Sequence, residues 1–361
     1  MQPRPLKADL HVHSKFSTRP SEWILQKIGC PESFSEPKHI YELARKRGMD
    51  LVTITDHNTI AGALEIAHLP GTFVSEEITS YFPEDRCKVH VLAYDISEAQ
   101  HEDISRIREN VFDLVEYLGR EGIAHVLAHP MYGVNDRHTP EHFEELLLLF
   151  KNLELNGARD GLQNRILAEI AANLTRPDIE RLAERHGIEP RGQRPWEKNI
   201  VGGSDDHSSL NVARMHTEVR GADGVAGFLA GVEAGRCRPA GVEASPWTMA
   251  HNLYGIAYQF YCSRFRLGRF VNKDPLLRFA ENALTSSPAE HSGRLLLRLQ
   301  GLFAGSRRRP FFKRPRGIQQ VLRKEATAII FSDTRLSGIL AKRPARAQEL
   351  EREWFRFVSL A

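Results

Sequence analysis

The chain has few cysteines and no closely spaced pair among them. Cys30, Cys87, Cys237 and Cys262 are the four in 361 residues. That excludes zinc-finger spacing and fits reduced thiols in a cytosolic protein. Charge of one sign is also lacking. The 49 Lys and Arg against 46 Asp and Glu leave +3, too little to imply nucleic acid by itself. No apolar run is long enough to span a membrane, and the opening Met-Gln-Pro-Arg-Pro-Leu-Lys has no apolar core. Neither a transmembrane segment nor a signal peptide is expected, and the expected location is cytoplasmic. There is no internal repeat and no long low-complexity tract.

Histidine and carboxylate motifs are what the chain does have. They are Asp9-Leu-His-Val-His13, Thr55-Asp-His57, Ser75-Glu-Glu-Ile-Thr79, Val89-His-Val91, Ala128-His-Pro130 and Gly203-Ser-Asp-Asp-His207. Each falls at or near the end of a strand-like segment. Imidazole and carboxylate are ligand types that transition metals accept. Recurring through a strand-and-helix chain, they point to a multinuclear metal site and to a hydrolase.

The first ~235 residues alternate short apolar runs with amphipathic helices, the pattern of βα units around a parallel sheet. Strands are expected at 9–13, 51–55, 72–78, 87–94, 123–129, 153–156 and 200–204, the last of the set. Helices are expected at 36–47, capped by Ser35 and closed by Gly48, then at 102–121, from Pro140, and within 162–187. About seven strands suggest an α/β barrel whose site forms where strands end. Gly224 to Cys237 reads as the helix that completes it. Two parts are expected, a metal-site domain over 1–240 and a mainly helical C-terminal region over 241–361. Within the latter, 303–324 holds Arg307, Arg308, Arg309, Lys313, Arg314, Arg316, Arg323 and Lys324 with Phe303, Phe311 and Phe312 interleaved. A solvated tail is the favoured reading of that segment, and nucleic-acid or acidic-membrane binding the weaker one.

Residues two apart on a strand point to one face, so His11 and His13 can reach one ion, and Asp205 and His207 repeat that geometry. Gly202 and Gly203 before them permit close approach. Closure of a barrel makes the first and last pairs neighbours. Asp56 is either a ligand or the orienter of an imidazole, and Asp9 could orient His11 or His13. Of Glu76 and Glu77 only one faces the interior, and the pattern alone does not choose. His90 in an apolar strand reads as a core histidine until counted with the rest. His129 precedes Pro130 at a strand end, and His125, deeper on the same strand face, reads as structural.

In this order the motifs resemble the polymerase and histidinol phosphatase (PHP) superfamily, over roughly residues 8–240. The resemblance implies a distorted seven-stranded (β/α) TIM-like barrel holding two or three divalent ions, Zn, Mn or Fe. It also implies a phosphoric ester hydrolase that cleaves a phosphomonoester or phosphodiester by a metal-bridged hydroxide. The ligand set it implies is His11, His13, His57, Glu77, His90, His129, Asp205 and His207. His11, His13, Glu77, Asp205 and His207 would carry the catalysis, and Asp9 and Asp56 would support the ligands. Glu77 would be the bridging carboxylate rather than Glu76, and Asp205 the ligand rather than Asp206. One ion would use His11, His13, Glu77 and Asp205, a second Glu77, His90 and His129, and a third His57 and His207. Lys15, Arg19, Arg137 and Arg159 lie in loops near strand ends and are candidates to clamp phosphate, with a solvated charge the favoured reading of each. The expected substrate is a phosphorylated small molecule or nucleotide.

One stretch departs from the pattern. Many such proteins place an Asp or His a few residues after the first His-x-His, whereas here Ser14 to Pro20 has none, with Thr18 and Arg19 near that place. The third metal position is therefore expected to be weak or absent. The segments around Arg19 to Trp23 and Pro31 to Phe34 look like PHP modules associated with glycosyltransferases. The alternative function is thus a non-catalytic metal-binding accessory of such a partner enzyme. Because the motifs are complete by His207, residues after about 245 are expected to be dispensable for the chemistry. Their apolar cluster Leu253, Ile256, Ala257 and Phe260 must still bury against something.

Overall fold

The computed structural model describes residues 4–18, 30–135, 137–159, 161–243, 255–256 and 258–260. It is a mixed α/β chain in the order β1 (Leu6–Asp9), α1 (Pro37–Lys46), β2 (Leu51–Val52), α2 (Ala61–Ile66), β3 (Ser75–Tyr81), β4 (Lys88–Tyr94), α3 (Glu98–Ile107), α4 (Val111–Arg120), β5 (His125–Leu127), α5 (Pro140–Leu149), β6 (Asn152–Asn156), α6 (Gly161–Asn173), α7 (Arg176–His186), β7 (Asn199–Gly203), β8 (Met215–Val219), α8 (Gly224–Glu233) and β9 (Cys237–Gly241). Among the described residues no helix is long and apolar enough to cross a membrane.

Local chemistry explains the element boundaries. Ser97 caps α3 in a box with Gln100, Thr139 caps α5 in a box with His142, and Pro140 fills the first turn. The single helix expected over 102–121 is two, because the Asn110 side chain accepts the Phe112 N–H at 3.0 Å and starts α4 afresh. Apolar spacing continues across that break, so periodicity alone does not reveal it. α1 is capped at Glu36 without a side-chain bond, not at Ser35. The Ser35 hydroxyl instead meets Ser209 Oγ at 2.7 Å. Gly48, at φ +85°, turns the chain out of α1 in the left-handed region that glycine tolerates.

The strands form two sheets, ordered β2-β1-β8-β9 and β3-β4-β5-β6-β7, rather than one closed parallel barrel. β4 runs antiparallel to both β3 and β5, and only β5-β6-β7 and β1-β2 are parallel pairs. β8 and β9 were not expected. They extend the first sheet antiparallel past the expected last strand, so sheet structure reaches Gly241. Isolated parallel bridges join the sheets at both seams, Val52 to Thr72 and His57 to Glu77 on one side and Val12 to Asp206 on the other. β1 ends earlier than expected, but the chain continues across the Val12 bridge.

Helices α3 to α7 bury Ile104, Leu114, Phe143, Leu147, Ile166 and Ile179 against β3 to β6 in the largest apolar cluster. A second cluster gathers Ala8, Leu10, Leu92, Tyr94, Val126 and Val201 with Phe228 of α8. A third packs α1 and α2 on Val52 and Ile54. At roughly 1.5–3 kcal/mol per large side chain, this burial holds the strand ends that carry the motifs. Ile256 and Phe260 bury against Cys30 and Phe34. Leu253, Ala257, Cys262 and the whole of 303–324 lie outside the described residues.

Gly203 stands where β7 passes β1. A Cβ there would lie 2.5 Å from His11 Cβ and collide with the Glu154 carboxylate. Gly203→Ala should therefore destabilise the protein by about 1–3 kcal/mol in urea unfolding. Gly227→Ala in α8, whose new Cβ would meet nothing nearer than 3.7 Å, should stabilise it by about 0.5–1 kcal/mol. Equal effects would show that the crossing at Gly203 is not tight.

Candidate metal centre

Glu77 is the hub. It lies mid-strand on β3 and is 1% exposed. Its Oε2 is 3.1 Å from His11 Nε2, His13 Nε2 and His57 Nδ1. Its Oε1 is 2.7 Å from His90 Nδ1 and 3.2 Å from His129 Nε2. Burial alone would raise its pKa, but His57, His11 and His90 hold it well below the usual carboxylate range. Glu76 points the other way, where His101 Nδ1 lies 3.0 Å from both of its carboxylate oxygens. The pleat of β3, bridged to His57, selects the inward residue.

Asp205 completes the second half of the cluster. Its Oδ1 lies 3.4 Å from both His11 Nε2 and His13 Nε2. Burial would raise its pKa, yet His11, His13 and Arg159 hold it well below the usual range. His207 stacks on His13 with ring centroids 4.0 Å apart. Burial pushes His90 down to about 4, which keeps its ring neutral and suited to metal ligation. Donor atoms of His11, His13 and Asp205, of His57, Glu77 and His90, and of His13, His57 and His207 lie within 4.8 Å of one another in each group. Asp206 turns away, accepting the Asn211 N–H at 2.9 Å.

The backbone is bent to present these groups. His129 has φ +30° and Asp205 φ +50°, values that cost a non-glycine residue of order 1–3 kcal/mol and persist only where neighbours enforce them. The Asp205 N–H donates to the His11 carbonyl at 2.7 Å. The His129 N–H donates to Glu154 Oε2 at 2.9 Å.

Glu154 is a functional residue that the motifs miss. Its Oε1 is 2.8 Å from His11 Nδ1, so its carboxylate fixes that ring with Nε2 facing Glu77. Asn156 Nδ2 donates to Glu154 Oε2 at 3.0 Å and to Asp205 Oδ2 at 3.1 Å. The signal was the alternation in β6, where Glu154 and Asn156 share the face opposite Leu153 and Leu155. Ser17 is a second missed residue. Its Oγ lies 3.0 Å from His13 Nδ1 and donates to Asp56 Oδ1 at 2.8 Å. Asp56 thus positions His13 through Ser17. Asp9 does not reach an imidazole. Its carboxylate accepts the N–H groups of His11, Ser204 and Ala213 at 3.3, 2.9 and 2.6 Å. Glu32 is a third missed residue, 4% exposed, with Oε2 3.2 Å from His57 Nε2 and Oε1 3.5 Å from His207 Nε2.

Of the cationic candidates, Arg159 comes to the cluster. Its Nη2 is 3.5 Å from Asp205 Oδ2 and its guanidinium lies 3.7 Å over the Tyr132 ring. Lys15 pairs with Glu36 at 2.8 Å and Glu65 at 3.6 Å on the surface. Arg137 is exposed and donates to the Asp85 carbonyl of the β3–β4 turn. Both are loop cations drawn to nearby acceptors instead of the cluster. Arg19 lies outside the described residues.

No protein-family model matches the chain. A protein of Methanocaldococcus jannaschii described as uncharacterized is 42% identical over 73 residues, 20% of this chain and 41% of that relative. Among solved structures, PsfC of Pseudomonas syringae is similar at TM-score 0.45 and 15% identity, over 71% of this chain and 99% of its own. A two-domain Bacteroides vulgatus protein containing a predicted PHP-like metal-dependent phosphoesterase is similar at 0.41 and 15%, over 67% of each chain. The lesion-specific endonuclease PfuEndoQ of Pyrococcus furiosus is similar at 0.39 and 16%, over 66% of this chain and 59% of its own. In its ordered motifs the chain resembles the PHP superfamily.

Proposed function

We propose that the protein is a PHP-type metal-dependent phosphoesterase, its two bridged sheets a distorted form of the TIM-like barrel, that hydrolyses a phosphomonoester or phosphodiester of a small molecule or nucleotide. The observation that carries this is Glu77, a buried carboxylate whose two oxygens face two separate sets of imidazoles.

The residues fit divalent ions. Glu77 Oε2, His57 Nδ1, His90 Nδ1 and His207 Nε2 are buried and make no hydrogen bond among the described residues, although they crowd together. Buried polar atoms of this kind are costly unless a ligand completes them. His11, His13 and Asp205 with one oxygen of Glu77 would hold one ion, and the other oxygen with His90 and His129 a second. Bound ions would supply Lewis-acid stabilisation of phosphoryl oxygens and a nucleophilic water at neutral pH.

The remaining work falls to the chain itself. Glu154 and Ser17 hold the rings of His11 and His13 in fixed orientation. Arg159, held over Tyr132 beside Asp205, would offer a planar cation to a substrate phosphate. The completeness of the expected ligand set, with a donor from each of His11, His13, His57, Glu77, His90, His129, Asp205 and His207, favours catalysis over a non-catalytic accessory.

Two outcomes test the proposal. Hydrolysis of p-nitrophenyl phosphate or its bis-ester should vanish with chelator and return with Mn²⁺ or Zn²⁺. Activity unchanged after verified removal of metal would sink it. Glu77→Gln should lower kcat/KM by about 100-fold or more, since one carboxylate serves two ion positions. Glu76→Gln, which disturbs only the pair with His101, should cost less than about tenfold by the same reasoning. Equal losses would show that Glu77 is not the shared ligand.

A further inference from the structure

Glu32 lies in none of the motifs, yet its carboxylate faces two of their rings. His57 is placed between two carboxylates, with Nδ1 toward Glu77 and Nε2 toward Glu32. His207 presents Nε2 to the other Glu32 oxygen. A donor from each of His13, His57 and His207 lies within 4.8 Å of the others. The segment carrying Glu32 is laced to the neighbouring motifs. Ser33 Oγ donates to the His13 carbonyl at 3.3 Å, the Lys15 N–H donates to the Ser35 carbonyl at 2.9 Å, and Ser209 Oγ bonds Ser35 Oγ at 2.7 Å.

A short helical stretch from far along the chain packs on both sides of this group. Ile256 and Phe260 form an apolar cluster with Cys30 and Phe34, which flank Glu32. The Phe34 and Phe260 rings meet at 6.4 Å. Gln259 Nε2 donates to the carbonyl of Ser208, the neighbour of His207, at 3.1 Å.

We infer that Glu32, with His57 and His207, forms a third metal position, and that Ile256, Gln259 and Phe260 hold Glu32 and His207 in place for it. Carboxylate and imidazole are the donors that such an ion takes. Glu32 then supplies, from a later segment, the ligand missing between Ser14 and Pro20. The expected weakness of the third position is replaced by dependence on a distant part of the chain. Residues after 245 are accordingly not dispensable. Their removal would strip the apolar cover from Cys30 and Phe34 and the hydrogen bond from Ser208.

The inference rests on the metal centre proposed above, and the experiment separates the two. Full-length protein is stripped with chelator and reloaded with Mn²⁺. Bound ions are then counted by atomic emission and titrated by calorimetry. Wild type should bind three ions per chain. Glu32→Gln should bind two, with the affinity of those two unchanged. The double variant Ile256→Ala/Phe260→Ala should bind the third ion about tenfold or more weakly, the usual consequence of losing a group that orients a ligand. Gln259→Ala, a milder change, should shift it the same way and decides the matter if the double variant is unfolded by circular dichroism. A third ion bound equally well by Glu32→Gln would overturn the ligand role and leave only a carboxylate paired with imidazoles, as would two ions in wild type. An unaltered third ion in the folded C-terminal variants would overturn the bracing role. A wild type that binds no Mn²⁺ would instead refute the metal centre itself.

Discussion

A carboxylate removed from water must be compensated, and in this protein that requirement is concentrated at Glu77. Stripping a carboxylate of solvent costs several kcal/mol even after relaxation. Five imidazoles within 3.2 Å of its oxygens answer that cost, and they come from segments spread along the chain. The sheet arrangement follows from this demand. β3 carries Glu77, the bridge to His57 closes one seam and the bridge from Val12 to Asp206 closes the other. Both seams close beside groups that face the carboxylate or its partner Asp205.

Supporting groups repeat the principle one layer out. Glu154, Asn156, Asp56 and Ser17 are polar and buried, and each bonds to a group of the cluster or to a residue that does. Asp9 does the same for main chain, tying β1 to the loop after β7 through Ser204 and Ala213. These bonds hold the unfavourable backbone of His129 and Asp205 in place. The apolar clusters around the strands provide the free energy that such local strain and desolvation consume.

Much of the inner cluster was legible in the sequence because ligand chemistry admits few residue types. His11, His13, His57, His90, His129, Asp205 and His207 stand out by type and order. The choice between Glu76 and Glu77 was not legible from residues alone, since it depends on which face of β3 meets the cluster. His90 on its own reads as a core histidine because its strand is otherwise apolar, and only its place in the ordered set marks it. β8 and β9 escaped because Met-His-Thr-Glu-Val and Cys-Arg-Pro-Ala-Gly carry no sustained apolar alternation. Glu32 escaped for a different reason. It sits in a loop with no periodicity, and its partners are defined only by the fold.

Glu154 has a consequence that reaches past orientation. Its two oxygens serve the two sides of the cluster, one holding the His11 ring and the other the His129 main chain. A shift of that carboxylate toward either partner alters its hold on the other. If ions fill the places beside His11 and His129, as proposed, their affinities would be linked through this one carboxylate, and the effect would be equal in both directions.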